Sequence, residues 1–204
     1  MKKVVIIGCG DESKIVTEII ELNGDAVIGY LDDYTDCAER IGRLRDWKDV
    51  HKKRDCLFAV AIMNTSVRSM LVNEIPKELL YTAVHPTAII SEKATLMEGC
   101  IVHAGVVIEP YAQCGVSCII NTGTVISHDC HLEDCVNVYG NSVLCGNVSI
   151  GRRTEAGPSA VICANVKITS NTTVGASSTV LKDIKEEGVY YGTPARFVKE
   201  RCKL

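Results

Sequence analysis

His128 and Asp129 sit side by side in the stretch NTGTVISHDCHLED, residues 121–134. A histidine next to a carboxylate is a proton-transfer unit: imidazole changes charge near neutral pH, and the carboxylate fixes its tautomer and steadies the imidazolium once a proton has been taken. An amine or hydroxyl nucleophile could lose its proton to such a pair. Residue types alone leave a plainer reading open, in which both side chains simply face solvent on a turn. Asn121 lies upstream, where it serves equally as a turn residue or as part of a site. His131, close downstream, reads as surface.

The elements that would have to position this pair follow from periodicity. Taking every sixth residue from Ile90 to Val180 gives sixteen positions, of which fourteen are Ile, Leu or Val, with Cys114 and Ala156 the exceptions. Two places earlier in each hexad the residue is always small or β-branched, from Ala88 through Thr124, Cys130 and Ser142 to Ser178. A helix of 3.6 residues per turn cannot keep a period of six on one face, whereas a coil of short strands and regular turns can. The expected fold for residues 83–183 is therefore a solenoid with aliphatic side chains filling its interior. Thr124, Ile126, Cys130 and Leu132 all occupy packing slots, so the fold does not require the polar residues between them. Cys100, Cys114, Cys118 and Cys130 also fall in inward slots and read as core rather than metal ligands.

Residues 1–82 follow a different pattern, with KVVIIG, AVIGYL and CLFAVA as buried strands and SKIVTEIIEL and residues 65–75 as helices. This alternation predicts a small parallel α/β domain, Rossmann-like in its strand–turn–helix opening. Gly8 and Gly10 fall in the first turn, where backbone N–H groups favour a phosphate. Ser13 stands where the dinucleotide fingerprint has its third glycine, and Asp32 and Asp33 follow the second strand, the place for carboxylates that hold ribose or base. Asp11 and Glu12 bring negative charge near that turn and call for compensation by Lys14 or Arg68. Residues 184–204 lose the repeat and read as a tail. A net charge of -3 and a pI near 6.0 give no basic surface for nucleic acid or an anionic membrane. The opening apolar run is too short for a signal peptide, and eleven cysteines without paired spacing read as thiols of a cytoplasmic protein.

The order of parts resembles the hexapeptide-repeat nucleotide-sugar acetyltransferases of bacterial glycan pathways, both the UDP-4-amino-sugar N-acetyltransferases and the sialic acid O-acetyltransferases. The likeness rests on the α/β domain, the unbroken hexads, Asn121-Thr122 followed by His128-Asp129-Cys130, and the terminal Gly192-Thr193-Pro194-Ala195-Arg196. It implies a left-handed parallel β-helix, acetyl-CoA as co-substrate, no metal, and a homotrimer with its sites between subunits. His128 is then the general base, Asp129 its support, and Asn121 helps hold the site. An eighteen-residue coil places Gly146 about 4.8 Å beyond His128 at the same corner. A glycine there leaves room beside the imidazole and a bare N–H for an oxyanion, the role the resemblance also gives it. The resemblance further places Pro158, Ala176, Lys182 and Arg196 along the cofactor, and Asn64 and Arg68 near the sugar phosphates. Asn137 stands where many relatives carry a second histidine facing the cofactor, and an amide cannot shuttle a proton.

The reading that results is N-acetylation of a nucleotide-linked amino sugar, with a UDP-4-amino-4,6-dideoxyhexose as first candidate. Sugar O-acetylation would use the same base. A zinc hydrolase of the γ-carbonic-anhydrase kind would need three converging histidines, and only His128 and His131 are close in sequence. A non-catalytic nucleotide-sugar binding protein is the remaining alternative.

Overall fold

The computed structural model describes residues 1–35 and 37–201 of the 204-residue chain. The first region alternates β1 (Lys3–Ile7), α1 (Asp11–Leu22), β2 (Ala26–Leu31), β3 (Arg40–Gly42), α2 (Trp47–Arg54), β4 (Leu57–Val60) and α3 (Thr65–Glu74). Its four strands are all parallel, in the order β3-β2-β1-β4. Val4 to Ile7 are fully buried, because a parallel strand covered on both faces must be apolar throughout. The sequence does not announce β3 or α2. Of the eight residues of α2 only Trp47 and Val50 are buried, with Trp47 packed edge-on to Phe58 at 6.0 Å between ring centroids, so no apolar stripe betrays the helix.

The solenoid begins at Ala83 and advances eighteen residues per coil, with Ile101 pairing Ile119, Ile119 pairing Asn137 and Asn137 pairing Glu155. Its short strands form three parallel faces. The first runs through Ala83–Val84, Ile101–Val102, Ile119–Ile120, Asn137–Val138, Glu155–Ala156 and Thr172–Val174. The second runs from Ile89–Ile90 to Thr179–Val180, and the third from Thr95–Leu96 to Lys167–Ile168. In each complete coil the second residue of a strand points inward; Val102, Ile120, Val138, Ile126, Leu144 and Leu132 all lie in one continuous core. The small residues two places earlier share that core or return a hydroxyl or thiol to a neighbouring coil, as when Ser142 Oγ donates to Gly157 O at 2.8 Å. Cys114 and Cys118 are buried as expected, which pushes their thiols well above the ordinary cysteine range. The ten cysteines among the described residues are free thiols; Cys202 lies outside them.

The tail is more regular than its sequence implies. Gly188–Tyr191 pairs in parallel with the last strand of the first face, and Arg196–Lys199 turns back antiparallel to it. The α/β region packs on the outside of that same face, where Ile101 and Ile119 join Val4, Ile6, Val16 and Ile20 in one apolar cluster. Among the described residues no helix is long and apolar enough to cross a membrane.

Candidate active site

His128 stands at the corner between the second and third faces, immediately after the strand Val125–Ile126. Its Nδ1 is 2.8 Å from Asp129 Oδ2, which fixes the tautomer so that Nδ1 carries the proton and Nε2 keeps its lone pair. The two side chains are 61% and 56% exposed, open to an incoming ligand. Asp129 takes a left-handed backbone conformation, φ 58°, which aspartate tolerates better than most residues. The backbone N–H of His128 donates to Glu109 Oε2 at 2.9 Å, a tie from the preceding coil that the repeat pattern does not signal.

Gly146 follows one coil on, and a Cβ placed on it would lie 2.7 Å from both Cε1 and Nε2 of His128. Only glycine lets the ring rest there. The Gly146 N–H donates to no acceptor among the described residues and is free for a ligand oxygen. Lys182, exposed, occupies the same corner three coils beyond His128. Pro158 and Ala176 stack on each other at the opposite edge of the second face, the Ser177 N–H donating to Pro158 O at 2.8 Å. Asn121 lies at that opposite edge too, its Oδ1 buried without a protein partner, so within one chain it does not meet His128. Arg196 is exposed on the last strand. His131 points outward from the third face. No group of three or more potential metal-ligating side chains converges among the described residues.

A second opening of about 490 Å³ lies at the carboxyl end of the α/β sheet, and Gly8, Gly10, Asp32 and Asp33 all line it. Gly8 has φ +106°, and a Cβ on it would press to 2.9 Å from Ala61 O. Asp32 organises the loop rather than pointing freely: it accepts from the N–H groups of Cys9, Tyr34 and Thr35 at 2.7–2.8 Å. Burial alone would push its carboxyl up, but these three donors outweigh it and hold the group below the usual carboxylate range. Asp33 Oδ1 accepts from the Leu44 N–H. Ser13 donates to Gly10 O and Asn64 caps α3 by accepting from Ser66 and Val67, so both shape the pocket's frame instead of lining it.

Arg68 and Asn137 lie elsewhere than expected. Arg68 is fully buried between α3 and the solenoid, with its five N–H groups directed at Ser117 O, Ile62 O, Met63 O, Cys135 O and Asn137 Oδ1. None is left for a phosphate. Asn137, equally buried, returns its amide to Met63 O at 2.8 Å and faces the domain junction rather than a cofactor. Charge near the first turn is compensated by Lys14, as expected, and by His103 in place of Arg68. Lys14 pairs with Asp11 at 2.8 Å, while Glu12 is met by His103 of the solenoid, Nε2 to Oε1 at 2.7 Å.

The fold has counterparts among known proteins. Residues 3–75 match the family described as the PglD N-terminal domain. A histidine-to-alanine mutant of the GDP-perosamine N-acetyl transferase from Caulobacter crescentus, solved in complex with CoA and GDP-perosamine, superposes with a TM-score of 0.92 at 30% identity over 98% of each chain. The chain belongs to the hexapeptide-repeat, left-handed β-helix acetyltransferases of nucleotide sugars. The acetyltransferase domain of PglB from Neisseria gonorrhoeae, in complex with acetyl coenzyme A, gives a TM-score of 0.88 at 26% identity, covering 97% of this chain and 99% of that one. The UDP-N-acetylbacillosamine N-acetyltransferase of Bacillus subtilis is 32% identical over 118 residues, a match that spans about half of each protein, 51% of this chain and 52% of that relative.

In this acetyltransferase chain the histidine corner and the α/β pocket are held apart. The pocket approaches the solenoid through Glu12 and His103, and His103 follows a first-face strand, at the edge where Asn121 also lies. His128 lies at the other edge of the second face.

Proposed function

We propose that the protein transfers the acetyl group of acetyl-CoA to the amine of a nucleotide-linked amino sugar, with a UDP-4-amino-4,6-dideoxyhexose as the first candidate. The observation that carries this is the His128–Asp129 pair resting on Gly146, in a chain whose relatives include N-acetyltransferases of GDP-perosamine and UDP-N-acetylbacillosamine. His128 Nε2 takes a proton from the sugar amine as its nitrogen attacks the thioester carbonyl carbon. Asp129 stabilises the imidazolium, and the Gly146 N–H meets the oxyanion of the tetrahedral intermediate. Collapse keeps the new C–N bond and breaks the C–S bond, and His128 returns the proton to the departing CoA thiolate. Pro158, Ala176, Lys182 and Arg196 are the residues that would hold acetyl-CoA, and the pocket of Gly8, Gly10, Asp32 and Asp33 would hold the nucleotide.

The reading includes a homotrimer. Along the second face the outward residues are Ile89, Val107, Val125, Val143 and Val161, an apolar ladder that is half-buried along its length and 68% exposed at Ile89. Copies closing on this face would bring the His128 edge of one against the Pro158–Ala176 edge of the next.

CoA-thiol release measured across UDP-, GDP- and TDP-linked amino sugars, CMP-sialic acid and free sialic acid fixes donor and acceptor together. His128→Ala should lower turnover about 100-fold or more with the accepted substrate, in line with loss of a general base, while leaving nucleotide-sugar affinity unchanged. Wild-type turnover in that variant would refute the mechanism.

A further inference from the structure

We propose that Glu12, held in place by His103, recognises a hydroxyl of the hexose moiety of the substrate; the inference rests on the reading that the α/β pocket takes a nucleotide sugar. Glu12 lies in the first turn of α1 and lines the pocket, with its side chain only 8% exposed. One carboxylate oxygen, Oε1, is occupied by His103 Nε2 at 2.7 Å, and His103 is itself 2% exposed. The other oxygen, Oε2, receives no hydrogen bond from any described residue. The remaining carboxylates of the pocket are differently committed. Asp11 is paired to Lys14 at the surface, Asp32 is engaged by three backbone N–H groups, and Asp33 fastens the Leu44 backbone. Glu12 is the buried, rigidly held acceptor with capacity to spare.

Charge and direction fix what it accepts from. No lysine, arginine or histidine is among the described residues lining this pocket, and His103 is already engaged with Oε1, so a diphosphate beside Glu12 would meet a carboxylate with no further cation to offset it. The phosphates belong over the Gly8–Gly10 turn, where backbone N–H groups of the α1 N-terminus are available, and an uncharged donor belongs at Glu12. Direction follows from the partner: His103 is a solenoid residue, so Glu12 marks the end of the pocket nearest the solenoid edge to which the proposed trimer would bring a neighbour's His128, while Asp33 and Leu44 mark the far end. The sugar must lie toward acyl transfer and the nucleoside away from it. The ligand group at Glu12 is therefore a sugar hydroxyl, and the pair is a specificity determinant rather than a catalytic one.

Calorimetry with the accepted nucleotide sugar and with the matching bare nucleoside diphosphate tests this. Glu12→Gln should weaken nucleotide-sugar binding on the order of 10- to 100-fold, the loss of one hydrogen bond to a charged group, and leave the diphosphate within about threefold or tighter. In turnover the same variant should raise KM and spare kcat. His103→Leu, which frees the carboxylate to move, should follow Glu12→Gln, and His103→Gln, whose amide still donates to Oε1, should recover most of the loss. Should Glu12→Gln fail to fold, the two His103 variants carry the same comparison. Equal weakening toward both ligands would reduce the pair to a domain-docking contact and overturn the proposal, as would no change toward either. If the wild-type protein binds no nucleotide sugar of the panel, the pocket reading itself falls, an outcome distinct from binding that ignores Glu12.

Discussion

At Gly146 a single methyl group decides whether the imidazole keeps its place. Gly146→Ala puts a carbon 2.7 Å from Cε1 and Nε2 of His128, and the ring must rotate away because the backbone of the coil cannot yield. Turnover should fall about 100-fold or more while the melting temperature stays close to wild type, since Gly146 has an ordinary backbone conformation that alanine can adopt. Melting and acetyl-CoA binding measured together separate this from unfolding. Sequence makes the His128–Asp129–Gly146 arrangement legible because a fixed period turns residue number into position: eighteen residues on is one coil on. Asp129 is only half legible. It also fills a left-handed turn position that recurs every six residues, at Gly123, Asp129, Cys135, Asn141, Asn147 and Arg153. Aspartate and asparagine suit that conformation, but cysteine and arginine hide the pattern, so the turn column cannot be read from residue types as the aliphatic column can.

Between elements the controlling residue is Arg68, which joins α3 to two successive coils of the solenoid through Ser117 O, Cys135 O and Asn137 Oδ1. Arg68→Met leaves Ser117 O, Cys135 O and Asn137 Oδ1 buried without this donor, at about 1–3 kcal/mol for each one that water cannot reach, and takes a hydrogen bond from the half-buried Ile62 carbonyl. A melting temperature lower by about 10 °C is expected, and Arg68→Lys should recover little because one ammonium cannot span acceptors spread over three segments. Nucleotide-sugar affinity of the folded protein at low temperature should be unchanged. Lost affinity at a preserved melting temperature would instead restore Arg68 to the binding site. The sequence could not reveal this role, because an arginine close to a nucleotide pocket is read as a phosphate partner until the packed solenoid is seen. The same gap explains Glu12 and His103, which lie far apart in the chain and meet only because α1 docks on the first face. What periodicity does disclose is each element's own inward face; what two elements do to each other at their junction depends on their relative placement, which no single repeat encodes.

For the whole molecule, the separation of His128 from the α/β pocket would make the proposed trimer part of the chemistry. In the proposed trimer each site combines the pocket of one subunit with His128 of its neighbour, so the two halves can be inactivated in different chains. His128→Ala removes the base. Gly10→Glu disables the pocket without crowding the fold, since a Cβ on Gly10 meets nothing within 4 Å, and its carboxylate opposes the phosphates beside the first turn. Each variant alone should be inactive. Co-expressed in equal amounts they form mixed trimers, and a site is whole only when its pocket comes from the His128→Ala chain and its histidine from the Gly10→Glu chain. Random assortment makes this combination about one site in four, so the mixture should recover about a quarter of wild-type CoA release. If pocket and base served one another within a single chain, no mixed trimer would contain an intact site and the mixture would stay as inactive as its components. Recovered activity would also have to disappear when Val143→Glu is added to both chains, because charges buried along the apolar ladder of the second face should hold the copies apart.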